Sequence, residues 1–309
     1  GYGTLEQQNA GADAYNTALG YVAGNAISTG VRNTILGANA GDALTTGSYN
    51  VAVGYDALST EDGDGRNVAV GYQALLTQNA GADAYNVAVG FYAGTAVTTG
   101  IYNTLIGGKA GDALTTGNAN VAIGQDALGA EDTGSDSIAI GRNALAAQNY
   151  DGSAYNIGIG RAAGKAVTTG TANTIMGGLA GDALTTGYGN VAVGYNALST
   201  EDTGGTNVAI GHAALQVLDA GANSYSVAIG YDAGKAISTG IRNTIVGGDS
   251  GKAITTGSYN TVFGSHALLT EDTGGANTAI GYAALNALNY DGLGYNVAVG
   301  HEAGAVMTT

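Results

Sequence analysis

The stretch Asn-Val-Ala-Val-Gly at residues 50–54 returns unchanged at residues 67–71 and 86–90. Seventeen related words run along the chain, each with Asn or Ser first, an apolar residue fourth and Gly fifth. They are spaced 17, 17, 17 and 19 residues apart, and this series repeats every 70 residues. A period of this length is typical of solenoids and other repeat architectures. The first words begin at Asn16, Asn33, Asn50, Asn67 and Asn86 and end at Gly20, Gly37, Gly54, Gly71 and Gly90.

Because the repeat runs along nearly the whole chain, the sequence predicts one repetitive segment over residues 1–309 and no separate domains. Its 70-residue units lie at about 16–85, 86–155, 156–225 and 226–295, with partial units at both ends. The chain starts with Gly1 rather than Met. We therefore expect it to be a piece of a longer fibre.

Within each word, β-branched and small residues alternate, which predicts a short β-strand. A 17-residue coil cannot bury its own apolar face, so it must stack on its neighbours. The sequence therefore predicts an all-β fold, a parallel β-solenoid. Stacked Asn side chains are expected to hydrogen-bond to one another along the stack, as in cross-β structures. Val or Ile at the second position of the word is expected to be buried.

Composition excludes several functional classes. The chain has no Cys and therefore no disulfide framework or thiolate metal site. Its formal net charge of −15 argues against nucleic acid as a partner. No apolar stretch approaches the roughly 18 residues of a membrane span, so no membrane insertion by this segment is expected. Three histidines, His212, His266 and His301, do not recur with the period and are interpreted as surface residues. The sequence predicts no enzyme activity and no cofactor.

Two of the seventeen words resemble a known family. Residues 226–230 read Ser-Val-Ala-Ile-Gly, and residues 136–141 read Asp-Ser-Ile-Ala-Ile-Gly. These words resemble the head repeats of trimeric autotransporter adhesins, the YadA-like β-roll, and related repeats of phage tail fibres. The resemblance implies a left-handed β-roll, assembly as a homotrimer and a role in attachment. It places the protein outside the cell, on the cell surface or on a virion.

A Glu-Asp pair recurs in a turn every 70 residues, and a Gly follows it either directly or after one further residue. Calcium needs six to eight oxygen ligands, usually including several carboxylates. Because each pair returns only every fourth coil, the alternative interpretation is a set of solvated turns that repel one another. The residues are Glu61, Asp62, Glu131, Asp132, Glu201, Asp202, Glu271 and Asp272.

The residue immediately after the Gly of each word varies freely, which indicates solvent exposure. Tyrosines there would suit contact with a glycan or a protein, because Tyr is a rigid amphipathic side chain. The alternative is that these rings cover the apolar edge of each coil. The lengthened turns of the 19-residue coils, such as residues 79–85, are expected to protrude. The aromatic residues are Tyr21, Tyr55, Tyr72, Phe91, Tyr195, Tyr231 and Tyr282.

Three functions remain open at this point. The first is an extracellular structural fibre that presents an adhesive or receptor-binding surface, as a bacterial surface adhesin or phage tail fibre does. Its partners would be further copies of the chain and a host-surface glycan or protein. The second is a self-assembling extracellular filament or matrix protein without a specific receptor. The third is a calcium- or ice-binding solenoid, although Thr occupies the second word position in only seven of seventeen coils.

Overall fold

The computed structural model describes residues 1–11, 13–63 and 65–308. These residues form seventeen strands of three residues each. The described residues include no helix that is long and apolar enough to cross a membrane. The prediction of an all-β parallel solenoid is confirmed. The predicted segment 1–309 includes Ala12, Asp64 and Thr309, which lie outside the described residues. The chain forms two compact units, Gly1–Tyr155 and Asn156–Thr309, and the second begins where a 70-residue repeat begins.

Every strand occupies the second to fourth positions of a word. Within each unit, consecutive strands pair in parallel and in register, so that Val51 lies opposite Val68 and Val53 opposite Val70. The strands of the first unit are β1 Thr17–Leu19, β2 Thr34–Leu36, β3 Val51–Val53, β4 Val68–Val70, β5 Val87–Val89, β6 Thr104–Ile106, β7 Val121–Ile123 and β8 Ile138–Ile140. Those of the second are β9 Ile157–Ile159, β10 Thr174–Met176, β11 Val191–Val193, β12 Val208–Ile210, β13 Val227–Ile229, β14 Thr244–Val246, β15 Thr261–Phe263, β16 Thr278–Ile280 and β17 Val297–Val299.

Each coil uses its backbone to bond to the coils on both sides. The N–H of Val51 donates to the carbonyl of Asn67 in the next coil at 2.9 Å, and the N–H of Gly54 donates to Leu36 in the previous coil at 2.7 Å. The turns continue the pattern, as in the 3.0 Å bond from the Leu58 N–H to the Ala74 carbonyl. Proline has no N–H to donate, which accounts for its absence from this chain.

The first residue of the word forms a buried column, which we call the Asn column. Asn33 donates from Nδ2 to the Gly47 carbonyl at 2.9 Å, and its Oδ1 accepts from the N–H of Asn50 at 2.8 Å. Asn50, Asn67 and their counterparts are almost fully buried. The expectation of bonds from side chain to side chain was therefore wrong for most of the column. The amide instead satisfies backbone groups of the next coil that would otherwise be buried without a partner.

Large side chains inside the solenoid fill the space that small residues leave in the same coil or the next one. Gly41 leaves a space that the side chains of Ile35 and Leu44 fill, because a Cβ built on Gly41 would lie 2.8 Å from Leu44 and 3.1 Å from Ile35. In the next coil, Leu58 stands at the position of Gly41 and Ala52 at that of Ile35, and both are fully buried. The order of Gly and Leu along each group of four coils thus keeps the core volume filled.

The strands point their middle residue inward and their two outer residues outward. Ala52 is buried, whereas Val51 and Val53 are half-buried. The expected burial of Val or Ile at the second position was therefore wrong. Beside Leu58 the inward position of the strand holds Ala52, and the two β-branched residues of the strand lie on the outer surface. We call the outward-facing first and third residues of all strands the strand face.

Candidate functional site

The described part of the chain contains no pocket. Its distinctive surfaces are columns of equivalent side chains that run from coil to coil. The strand face is the first, and every strand is built only from Thr, Ala, Val, Ile, Leu, Gly, Met and Phe. Ile106 and Met176 are exposed there by 36% and 40%, and Phe263 by 49%. The strand face is therefore an uncharged, apolar surface on each unit.

A second surface, the aromatic column, consists of the residues immediately after the Gly of each word. In the first unit, Tyr55 stacks on Tyr72 and Tyr72 stacks on Phe91, each with ring centroids 5.4 Å apart. In the second unit, His212 stacks between Tyr195 and Tyr231 at 5.6 and 5.0 Å. The structure thus brings together most of the aromatic residues that the sequence singled out, and it adds His212 to them.

Stacking changes what the aromatic column can offer to a ligand. The rings of Tyr55 and Tyr72 are nearly parallel, with 12° between their planes, so their faces cover one another. Both side chains remain at least 40% exposed. Solvent therefore meets ring edges and hydroxyl groups rather than open ring faces. The column both covers the coil edge and displays a row of phenol groups.

A third surface, which we call the Arg–Tyr column, consists of the residues immediately before the first residue of each word. It was not identified from the sequence alone. Arg66 lies over the rings of Tyr49 and Tyr85, 5.4 and 5.5 Å from their centroids, and also pairs with Asp83. Tyr85 in turn stacks on Tyr102 at 5.7 Å. The signal was available, because residues before successive words alternate between Tyr and Arg over residues 15–85. Cation–π contact makes this alternation favourable.

The acidic turns are not the solvated features that the sequence suggested. The side chains of Glu61, Glu131, Glu201 and Glu271 are fully buried, whereas the Asp that follows each of them is at least partly exposed. In the second repeat, Glu131 accepts hydrogen bonds from the N–H of Gly134 at 2.7 Å and from Gln148 at 3.0 Å. These carboxylates occupy the core position that the preceding coil fills with an aliphatic residue, namely Leu44, Leu114, Leu184 or Ile254. Hydrogen bonding is what makes such burial tolerable.

A network of charged groups joins two neighbouring coils of the second unit. Lys252 donates to Asp232 at 3.0 Å and to Asp249 at 2.7 Å, while Lys235 lies 3.3 Å from Asp232. Burial alone would raise the pKa of Asp232, but the two lysines outweigh it and lower that pKa. Hydrogen bonds to Asp249 and Asp232 raise the pKa of Lys252. The network therefore stays ionised and holds neighbouring coils together.

Several other carboxyl groups have raised pKa values, from which we predict that stability increases as the pH falls. Burial raises the pKa of five of them above the ordinary values of 3.8 and 4.5. A raised pKa means that the carboxyl group binds its proton more tightly in the folded chain than in the unfolded chain. The protonated group therefore adds stability at low pH, and this contribution is lost as the pH rises through the folded pKa. The five are Asp42, Asp112, Asp182, Glu201 and Glu271.

We therefore expect the melting temperature to rise as the pH falls from neutral towards the ordinary carboxyl pKa values of 3.8 and 4.5. Asp232 does not oppose this trend, because its lowered pKa matters only below 3.8. Thermal unfolding followed by circular dichroism at several pH values measures the effect. Repeating the series in about 1 M salt screens the surface repulsion that the net charge of −15 creates and leaves the effect of buried groups. A melting temperature that stays constant or falls over this range would contradict the assignment.

Comparison with models of known protein families and with curated protein sequences gives no match to this chain.

Proposed function

We propose that this chain is a segment of an extracellular structural fibre that works as a homo-oligomer and presents an adhesive surface. The observation that carries the proposal is the strand face, an apolar surface without a charged residue on any of the seventeen described strands. Surfaces of this kind mark sites of protein association when they exceed a few hundred Å². The occupant that we propose is a second copy of the same chain.

The size of the strand face fits that occupant. In the first unit, eight strands spaced about 4.8 Å apart give a face about 38 Å long. The Arg–Tyr column and the aromatic column bound it on its two sides, so it is at most about 20 Å wide. The resulting area, up to about 750 Å², approaches the roughly 800 Å² that each partner buries in a standard interface. Interfaces are also enriched in Phe and Met, which the strand face carries at Phe263 and Met176, and depleted of Lys and Glu.

The adhesive surface would lie on the parts of each coil that the assembly leaves uncovered. The lengthened turn at residues 79–83 is mostly exposed, and an equivalent turn follows every 70 residues. The aromatic column adds exposed phenol groups such as those of Tyr55 and Tyr195. A repeated array of this kind suits a host-surface glycan or protein, because many weak contacts add up through multivalency. The resemblance to adhesin heads and tail fibres supports three copies and an extracellular or virion location.

A double substitution, Ile106→Lys and Ile229→Lys, tests the assembly. Both residues are more than a third exposed in the single chain, so the folded solenoid should tolerate lysine there. In an assembly the added charges would be buried without partners, so we expect dissociation into single chains. Mass photometry measures it, and circular dichroism checks the fold. Thr99→Lys, at an exposed turn position, is the matched control and should leave the mass unchanged.

The same preparations test whether the aromatic column binds a host-surface glycan or protein. Binding of the fluorescent assembly to a glycan array and to host cells is compared with that of a Tyr55→Ala, Tyr72→Ala and Tyr195→Ala variant. We expect the variant to keep the assembled mass and to lose binding. Unchanged binding would remove the aromatic column from the proposal, and an unassembled native chain would remove the strand face.

The strand face also favours a second function, a self-assembling filament or matrix protein without a receptor. An interface that closes on itself gives a fixed mass, whereas one that does not close gives open growth. Particles whose mass increases continuously with concentration would support the filament and not the fibre segment.

A further inference from the structure

The four buried glutamates occupy equivalent turns, but their surroundings are not equivalent. Each faces the following coil at the position where that coil carries Gln78, Gln148, Leu218 or Leu288. The next residue in that coil is Asn in three repeats and Asp219 in the third. The third repeat therefore combines the loss of a side-chain donor with the gain of a carboxylate.

In two other repeats, both oxygens of the glutamate accept hydrogen bonds. Oε2 of Glu131 accepts from Gln148 Nε2 at 3.0 Å and from the N–H of Tyr150 at 3.3 Å. Oε2 of Glu271 accepts from the N–H of Tyr290 at 3.3 Å. Their Oε1 atoms each accept a 2.7 Å bond from a backbone N–H in the same turn. The carboxylates of these two turns are therefore satisfied by the protein itself.

Glu201 differs at one oxygen. Its Oε1 accepts a 2.7 Å bond from the N–H of Gly204, as in the other turns. Its Oε2 is buried and accepts no hydrogen bond of normal geometry from any described residue, although the N–H of Ala220, the counterpart of the Tyr290 N–H, lies close enough to lower the pKa of the carboxyl. The side chain as a whole is fully buried. One carboxylate oxygen each from Glu201, Asp202 and Asp219 lies within 4.8 Å of the other two.

We propose that Glu201, Asp202 and Asp219 form a binding site for one divalent cation of the calcium class. Calcium binds oxygen ligands at about 2.3–2.6 Å, so two ligands on opposite sides of one ion lie at most about 5 Å apart. The three carboxylate oxygens satisfy that limit. Backbone carbonyls and water would supply the remaining ligands of a six- to eight-coordinate ion.

Electrostatics favour the same conclusion. Burial raises the pKa of Glu201, and the neighbouring charges of Asp219 and Asp202 raise it further. Three carboxylates this close repel one another strongly unless a cation lies among them. The unsatisfied Oε2 of Glu201 would then point to the ion instead of to a hydrogen-bond donor. The acidic turns at Glu131 and Glu271 gain nothing from an ion, because both oxygens of each carboxylate already have donors.

Calorimetric titration of the whole chain with calcium chloride, after removal of metals with EDTA, tests the proposal. We expect one calcium ion per chain and a dissociation constant of about 10⁻⁴ to 10⁻³ M. Asp219→Asn restores the residue of the other three repeats, so it should fold normally and weaken binding by about tenfold or more. The double variant Leu218→Gln and Asp219→Asn recreates the surroundings of Glu131 and should abolish binding.

Asp132→Asn is the matched control, because Asp132 occupies the position of Asp202 in the second repeat. It should leave the stoichiometry and affinity unchanged. The proposal is overturned if the native chain releases no heat with calcium at millimolar concentration. It is equally overturned if Asp219→Asn binds as tightly as the native chain, or if Asp132→Asn weakens binding to the same extent.

Discussion

Gly107→Ala is expected to destabilise the first unit by about 4 kcal/mol or more, which is exceptional for the addition of one methyl group. Gly107 has φ +134°, a backbone conformation that L side chains rarely adopt. A Cβ there would lie 2.7 Å from both the carbonyl carbon and oxygen of Gly124 in the next coil. Both atoms are backbone, so the clash is relieved only if two bonded coils separate.

The neighbouring residue provides the control. Gly108 follows Gly107 directly, and a Cβ on Gly108 would meet nothing within 4 Å. Gly108→Ala should therefore stay within about 0.5 kcal/mol of the native chain. Urea denaturation of both variants, followed by circular dichroism, measures the difference. Equal losses of stability in the two variants would show that the close approach of the next coil does not require Gly at the fifth position of the word.

Asn103→Asp is the second substitution with a large expected effect, although it changes the shape of the side chain very little. Asn103 is fully buried, donates from Nδ2 to the Gly117 carbonyl at 2.9 Å and accepts from the N–H of Asn120 at 3.0 Å. Aspartate keeps the acceptor but places a carboxylate oxygen against the carbonyl of Gly117. An uncompensated buried charge costs about 3–5 kcal/mol, so we expect a loss of that size at neutral pH.

Acid should reverse part of that loss, because a protonated carboxyl can donate to the Gly117 carbonyl. The matched control is Asn118→Asp. Asn118 is exposed, and its side-chain oxygen accepts from the N–H of Ile101 at 2.8 Å, which aspartate can also do. Thermal unfolding at neutral and acid pH distinguishes the two. A small, pH-independent effect of Asn103→Asp would show that the Asn column does not hold the coils together.

The period of the sequence was sufficient to predict every strand, since all seventeen described strands occupy the second to fourth positions of a word. It was not sufficient to predict which residues face inward. Val51, Ala52 and Val53 are all apolar, so alternation alone does not distinguish the two faces. Which face turns inward follows from the path of the whole coil, which buries the middle residue of the strand even where it is Val262.

The candidate sites were predictable to different degrees. Free variation after the word Gly indicated the exposed residues of the aromatic column, but not that their rings would stack at the spacing of the coils. The buried Glu131 was missed because an acidic residue in a turn is usually solvated. Its position relative to the word, which is that of Leu114 in the preceding coil, was the available signal. The cation site at Glu201 depends on distances between two coils, which no linear pattern contains.

The mass of the purified native chain in solution tests the central claim, association through the strand face, most directly. Mass photometry at nanomolar and sedimentation equilibrium at micromolar concentration measure it. We expect a stable particle of three times the 30.2 kDa chain mass, which the Ile106→Lys and Ile229→Lys substitutions convert to single chains. A native chain that remains at 30.2 kDa at micromolar concentration would contradict the account.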